Sequence, residues 1–134
     1  MGKYLNLEQD VFQIIEQKLK TEQDLKVYPS NYLALNSGNK FLRCSIIPSG
    51  KGINLNSVSG LLIIDIFTPV GVGPRDATLI ADILDQELAG KSINSVNNNV
   101  TQFMGSTFVH VGVDSANPSL FRSNYTVPFN FFGV

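Results

Sequence analysis

The stretch "IIDIFTPVGVGPRDATLIADILDQEL", residues 63–88, decides the fold. It opens as an apolar run broken only by Asp65, passes through a proline- and glycine-rich turn, and then changes period. From Ala77 onward the apolar residues Ala77, Ile80, Ala81, Ile83, Leu84 and Leu88 recur at three- and four-residue steps, which predicts a helix over roughly Pro74 to Leu88. Pro74 suits a first helical turn, where its missing N–H has no partner to lose, and the charge of Asp76 suits the same end. Gly90 followed by Lys91 is a helix stop. A buried strand running into an amphipathic helix is the frame on which the rest of the chain is placed.

The turn between them invites a nucleotide reading, and its residues refuse it. A dinucleotide loop needs a third glycine for close strand–helix packing, and after Gly71-Val72-Gly73 that place is held by Asp76. A mononucleotide loop ends in Gly-Lys-Ser/Thr, and here Pro74-Arg75-Asp76 stands instead. Pro74 removes a donor from the helix end that would hold phosphate, and Asp76 repels the anion. The segment reads as a connection.

Upstream, "VSGLLIIDIF" (58–67) is apolar on both faces, which predicts a central strand covered on both sides. "KFLRCSII" (40–47) alternates, with Leu42, Cys44 and Ile46 to one side and Phe41, Arg43 and Ser45 to the other. The connection "PSGKGINLNS" (48–57) reads as a long hairpin tip, so the two runs are expected to pair antiparallel. Before them, "NLEQDVFQIIEQKLKTEQ" (6–23) predicts an opening helix with Asn6 at its N-cap and Gln9 three residues on. Leu7, Val11, Ile14, Ile15 and Leu19 form its apolar stripe, and Glu16 and Lys20 lie a turn apart on the polar side. "YLAL" (32–35) is a candidate short strand followed by the turn "SGNK" (37–40).

Downstream, Ile93, Val96 and Val100 can support a short strand within the asparagine-rich "KSINSVNNNVTQ" (91–102). "GSTFVHVGV" (105–113) and "SNYTVPFNFF" (123–132) are the last two strands, joined by the turn-rich "DSANPSLFR" (114–122). Tyr125, Val127, Phe129 and Phe131 share one face of the final strand. Pro128 lacks a ladder donor, which predicts an edge position or a bulge there. The expectation is a single α+β domain over residues 1–134, a twisted and mainly antiparallel sheet flanked by two helices.

Composition narrows the function classes. Ten basic and eleven acidic residues nearly cancel, so no strong field draws the chain to nucleic acid or anionic lipid. A surface poor in charge favours self-association. The single Cys44 rules out an internal disulfide and a cysteine-only metal site. Neither a signal-peptide core nor a membrane-length apolar run occurs, which predicts a soluble chain.

The residues of reactive type do not form a constellation. His110 is the only histidine, set between valines in a strand, and reads as a partly exposed strand residue. Cys44 reads as a buried small hydrophobe, and its pairing with His110 as a dyad rests on residue type alone. Asp65 must be paired if buried, and Arg43 on the neighbouring strand is its expected partner. The acidic residues Asp76, Asp82, Asp85 and Glu87 give the second helix an outer face suited to solvent or to a basic neighbour. Phe129, Phe131 and Phe132 read as core or subunit interface rather than as a base-stacking platform. The expectation is a protein without enzyme activity and without a cofactor or metal.

In the order of its elements the chain resembles the tail terminator (tail completion) proteins of long-tailed phages. The residues that carry the likeness are "VFQIIEQKL" (11–19), "FLRCSIIPSG" (41–50), "GLLIIDIFTPVGVGPRDATLIADILDQEL" (60–88) and "YTVPFNFF" (125–132). The resemblance implies a homo-hexameric ring in the virion, assembled in the host cytoplasm at the head-proximal end of the tail. Such a ring stops addition of tail tube protein and offers a surface to the head–tail connector protein, with DNA only passing through its lumen and no membrane contact. Lys51 at the hairpin tip and Arg75 and Asp76 at the start of the second helix are the candidate interface residues. Within the same setting, the alternatives are a head–tail connector or a tail tube protein. From another class, a small metal-free α+β enzyme or ligand-binding module remains, and would depend on Asp65, His110 or Cys44.

Overall fold

The structure is a computed structural model that describes residues 3–23, 26–29, 41–51, 57–71, 75–94, 99–113 and 120–133. Helix α1 (Lys3–Gln23) comes first, followed by strands β1 (Lys26–Pro29), β2 (Phe41–Lys51) and β3 (Ser57–Pro69). Helix α2 (Arg75–Leu88) then leads into β4 (Ser92–Asn94), β5 (Val100–Phe103), β6 (Thr107–Val113) and β7 (Leu120–Phe132). The helix–strands–helix–strands order is as expected, and the fold is α+β. Several expectations fall outside the described residues: the strand at 32–35, the turn at 37–40, the hairpin tip at 52–56, Pro74, Val96 and most of the 114–122 turn. The side chains of Leu19, Lys20 and Lys51 do so as well.

The seven strands form one sheet in the order β1-β2-β3-β7-β5-β4, with β6 also paired to β7. β3 and β7 are its axis, thirteen residues each and antiparallel along their whole length from Ser57↔Phe132 to Pro69↔Leu120. β2 pairs antiparallel with the other side of β3, as the hairpin reading required. β1 is the exception, lying parallel to β2 with Lys26 opposite Phe41. Four residues are too short to show a period, so this strand has no signature in the sequence.

Alternation along β3 sorts the layers. Val58, Leu62, Ile64 and Ile66 point to the side on which both helices pack, and they join Leu42 and Cys44 of β2 and Tyr125, Val127, Phe129 and Phe131 of β7 in one core. Leu7, Val11, Ile14 and Ile15 of α1 and Ala77, Ile80, Ala81, Leu84 and Leu88 of α2 close that core from above. The other face of β3 carries Leu61, Ile63, Asp65 and Phe67, and the helices do not reach it. There Phe41 stacks on Phe67 with centroids 4.6 Å apart, and Leu120 completes a small second cluster.

Three local expectations need correction. α1 begins at Lys3, so Asn6 is inside the helix rather than at its N-cap; no glycine or proline separates Lys3 from Asn6, and continuing the helix satisfies the backbone as well as a cap would. The residues "PSGK" (48–51) are strand rather than loop, because a bulge between Pro48 and Gly50 absorbs the proline while pairing continues to Lys51↔Val58. Pro128 lies in the central strand, not at an edge. In an antiparallel strand a residue's N–H and C=O face the same neighbour, and the Pro128 carbonyl accepts from the Met104 N–H at 2.9 Å. The donor that Pro128 lacks therefore faces the Met104–Ser106 break, where β5 stops pairing with β7 and β6 begins. A central strand tolerates proline where its neighbour changes.

The single short strand expected at residues 91–102 is instead two, β4 and β5, paired antiparallel through Ile93↔Thr101. α2 ends as expected: Gly90 has a φ of 72°, and the Lys91 N–H donates to the Leu88 carbonyl at 3.1 Å. The Gly90 N–H then reaches the Met104 carbonyl at 3.3 Å, and the Phe103 N–H the Lys91 carbonyl at 2.8 Å, tying the helix end to the sheet.

Candidate functional site

The period-two alternation of β3 places Asp65 on the helix-free face, in the middle of the sheet's longest strand. Register sets Arg43 of β2 directly opposite on one side and Asn124 of β7 on the other, with Arg122 diagonally adjacent. Arg43 Nη2 reaches Asp65 Oδ2 at 3.2 Å, while Arg122 Nη2 and Asn124 Nδ2 reach Oδ1 at 3.1 and 3.2 Å. The Thr126 hydroxyl donates to Asn124 Oδ1 at 3.4 Å and orients the amide. The Arg43 guanidinium also lies 5.0 Å above the Phe67 ring.

Exposure divides the roles. The Asp65 side chain is 5% exposed, against 21% for Arg43 and 32% for Arg122. A buried carboxylate thus draws two guanidinium groups inward from the rim. Arg122 Nε is buried without a hydrogen-bond partner among the described residues. Sequence reading found the Arg43 pair but missed Arg122, which lay in a segment taken for a turn. The usable signal was the polar alternation of Arg122, Asn124 and Thr126 opposite the apolar Tyr125 and Val127.

The three interface candidates do not come together. Lys51 ends β2 opposite Val58 near the start of β3. Arg75, exposed, and Asp76, half-buried and engaged in a contact of its own, open α2 just beyond the other end of that strand. At about 3.3 Å per residue the length of β3 separates them by roughly 40 Å. Lys51 and the Arg75–Asp76 pair therefore serve different ends of the molecule.

Cys44 and His110 are also apart. Three ladder steps, from β2 through β3 and β7 to β6, put roughly 14 Å between their strands, so they form no dyad. His110 is exposed on β6, with Nδ1 2.9 Å from the Ser123 Oγ and its ring edge-on to Phe108. Ser123 itself is fully buried, which removes it as an accessible nucleophile. Among the described residues no three His, Cys, Asp or Glu side chains are grouped to hold a metal ion. Nor is any described helix long and apolar enough to cross a membrane.

Two further polar contacts anchor helices to the sheet. Buried Asp10 of α1 accepts from Asn99 Nδ2 at 3.2 Å, just before β5. Its place between Leu7 and Val11, on the apolar stripe, was the sign of burial in the sequence. Asp85 of α2 accepts from the Tyr125 hydroxyl at 3.1 Å and from Ser106. Burial first, and then the neighbouring Asp85 carboxylate, push the Tyr125 phenol up beyond its ordinary range; hydrogen bonding from Ser106 acts the other way. Burial, with smaller contributions from Asp65 and Glu16, likewise pushes the Cys44 thiol far above its ordinary 9.0.

Both groups thus stay neutral in the folded state after they ionise in the unfolded chain. Their stabilisation is complete below the unfolded pKa and declines as pH rises above it, so stability falls from about pH 9 upward, with a Cys44 slope of about 1.4 kcal/mol per pH unit. Denaturant midpoints measured from pH 7 to 10 should show this fall, and Cys44→Ala should remove its first part. An unchanged profile in that variant would place the titrating group elsewhere.

β6 is the other feature of this side of the sheet. It pairs with β7 alone, and among the described residues no strand occupies its outer edge. Val109, Val111 and Val113 are each more than half exposed along it, and a bulge between His110 and Gly112 turns the strand. Soluble proteins ordinarily guard a free edge with charge or proline. This one carries exposed valines instead.

No family model matches the sequence, and no curated protein is similar to it in sequence. A solved structure that carries no functional description shares the fold over 95% of this chain and 96% of its own, with a TM-score of 0.66 at 14% identity. At that identity the likeness speaks to the fold alone.

Proposed function

We propose that this chain is a structural assembly subunit, a tail terminator that forms a ring at the head-proximal end of a phage tail tube. The observation that supports it best is the β6 edge, unpaired among the described residues and carrying three exposed valines, on a chain whose charge is low and nearly balanced. Burying such an edge against another copy satisfies its backbone groups and removes apolar surface from water. The order of elements quoted above supports the phage setting, with Lys51 near one end of β3 and Arg75, exposed, beyond the other.

In this reading the function is steric. A heterologous contact whose rotation closes gives a ring, one side of which matches the last turn of tube while the other withholds the site on which tube protein adds. Asp65, His110 and Cys44 then serve packing and ion pairing and carry out no reaction.

Negative-stain microscopy of growing tail tubes, with and without the protein, tests this. A terminator leaves a ring at one end and halts elongation. Tubes that lengthen with bare ends exclude it, and tubes that incorporate the protein along their length identify a tube subunit instead.

A further inference from the structure

The described residues hold two sulfur atoms, and the fold treats them in opposite ways. Cys44 is 1% exposed, packed in the core between sheet and helices, and burial keeps its thiol protonated. A hydroperoxide attacks a thiolate that it can reach, and both conditions are withheld here. Met104 is the reverse case. It is 43% exposed at the break where β5 stops pairing with β7 and β6 begins. Its backbone is held on both sides: the N–H donates to the Pro128 carbonyl at 2.9 Å, and the carbonyl accepts from the Gly90 N–H at 3.3 Å. The space beside it is open, since Gly105 is exposed and a Cβ built there would meet nothing within 4 Å. The Met104 side chain belongs to neither apolar cluster. Its thioether therefore stands in water on a segment that backbone bonds keep in place.

From this contrast we propose that Met104 is a site of reversible oxidation by hydroperoxides, at which the folded chain takes up an oxygen atom while Cys44 is spared. The inference is independent of the ring reading. In the step, the thioether lone pair attacks one peroxide oxygen, the O–O bond breaks and an S–O bond forms. The other oxygen leaves as water or an alcohol, taking through solvent the proton shed by the oxygen transferred. Sulfur is oxidised by two electrons and the peroxide is reduced by two, so no protein acid, base or cofactor enters the balance. The product turns an exposed apolar group into a polar one, and a methionine sulfoxide reductase with a thiol donor reverses it.

Hydrogen peroxide, applied to the native protein and to the same protein unfolded in urea, tests it. Peptide mass mapping reads Met104 and Cys44 separately, and apart from Met1, which lies outside the described residues. Met104 should oxidise in the native protein within about fivefold of its unfolded rate, as its exposure requires. Cys44 should be slowed at least about a thousandfold, because it reacts only when the domain opens. The oxidised protein should melt within about 4 °C of the untreated one, since the sulfoxide forms outside both clusters. Two reductases, one for each sulfoxide epimer, should then restore the original mass of the Met104 peptide. Met104→Leu, treated in the same way, assigns any change in melting to this residue or to another.

Native protection of Met104 beyond about fivefold would overturn the proposal by showing that the thioether is covered. Oxidation of Cys44 alongside Met104, or a larger fall in melting that Met104→Leu abolishes, would overturn it as well. So would a sulfoxide that the reductases leave in place.

Discussion

Gly60→Ala is expected to cost about 3 kcal/mol or more, enough to threaten folding of a domain this size. A Cβ at this position would lie 2.2 Å from the Ile47 carbonyl oxygen and 2.9 Å from the Pro48 Cα. Both are backbone atoms of the adjacent strand, so no side-chain rotamer relieves the overlap. The close approach has a cause in the sequence: Pro48 cannot donate to the ladder, and the bulge that follows draws β2 toward β3 at the residue opposite Gly60. To admit a methyl group, β3 would have to separate from β2 near the hairpin end of their ladder, and β3 also carries the register of β7. The urea midpoint should fall with the slope unchanged. Gly105→Ala is the control, since a Cβ there meets nothing within 4 Å, and it should stay within about 0.5 kcal/mol of the wild type. Equal midpoints for the two variants would mean that the bulge relaxes freely.

Asp65→Asn is the second large effect, expected to lower stability by about 3 kcal/mol. The substitution keeps the volume and removes the charge, leaving two guanidinium groups converging on a neutral amide on a largely buried strand. The cost comes from taking the anion away from two guanidinium groups that have only partial access to water, rather than from lost hydrogen bonds, since the amide keeps one accepting oxygen. That distinction is itself testable. Replacing all three residues together, Arg43→Met, Asp65→Leu and Arg122→Met, should recover most of the loss, because an apolar patch owes no desolvation cost. A triple variant as unstable as Asp65→Asn would show that the ion pairs themselves hold β2, β3 and β7 in place. A loss below about 1 kcal/mol for Asp65→Asn would show that both arginines simply turn outward.

The elements that could be read from the sequence are those whose burial follows a local period. The α2 stripe from Ala77 to Leu88, the alternation of Leu42, Cys44 and Ile46, and the shared face of Tyr125, Val127, Phe129 and Phe131 are each written in residues close along the chain. Asp65 was legible as a charge needing a partner, and Arg43 as that partner, because a hairpin brings adjacent strands into predictable register. The refusal of the Gly71–Asp76 turn to be a phosphate loop was equally local.

What tertiary structure alone decided involves distant segments meeting. Arg122 reaches Asp65 across 57 residues of sequence because β7 returns to pair beside β3, and no local period announces that pairing. Pro128 is tolerated in a central strand because β5 gives way to β6 at the point its missing donor would face, a coincidence of three strands. β1 is held parallel to β2 by partners rather than by any pattern of its own four residues. Gly60 is irreplaceable through a bulge on another strand, and among the described residues the sheet's order leaves the outer edge of β6 unpaired. Local chemistry determined which segments are helix and strand and which face each one buries; long-range pairing determined which charges meet and which edge is left open.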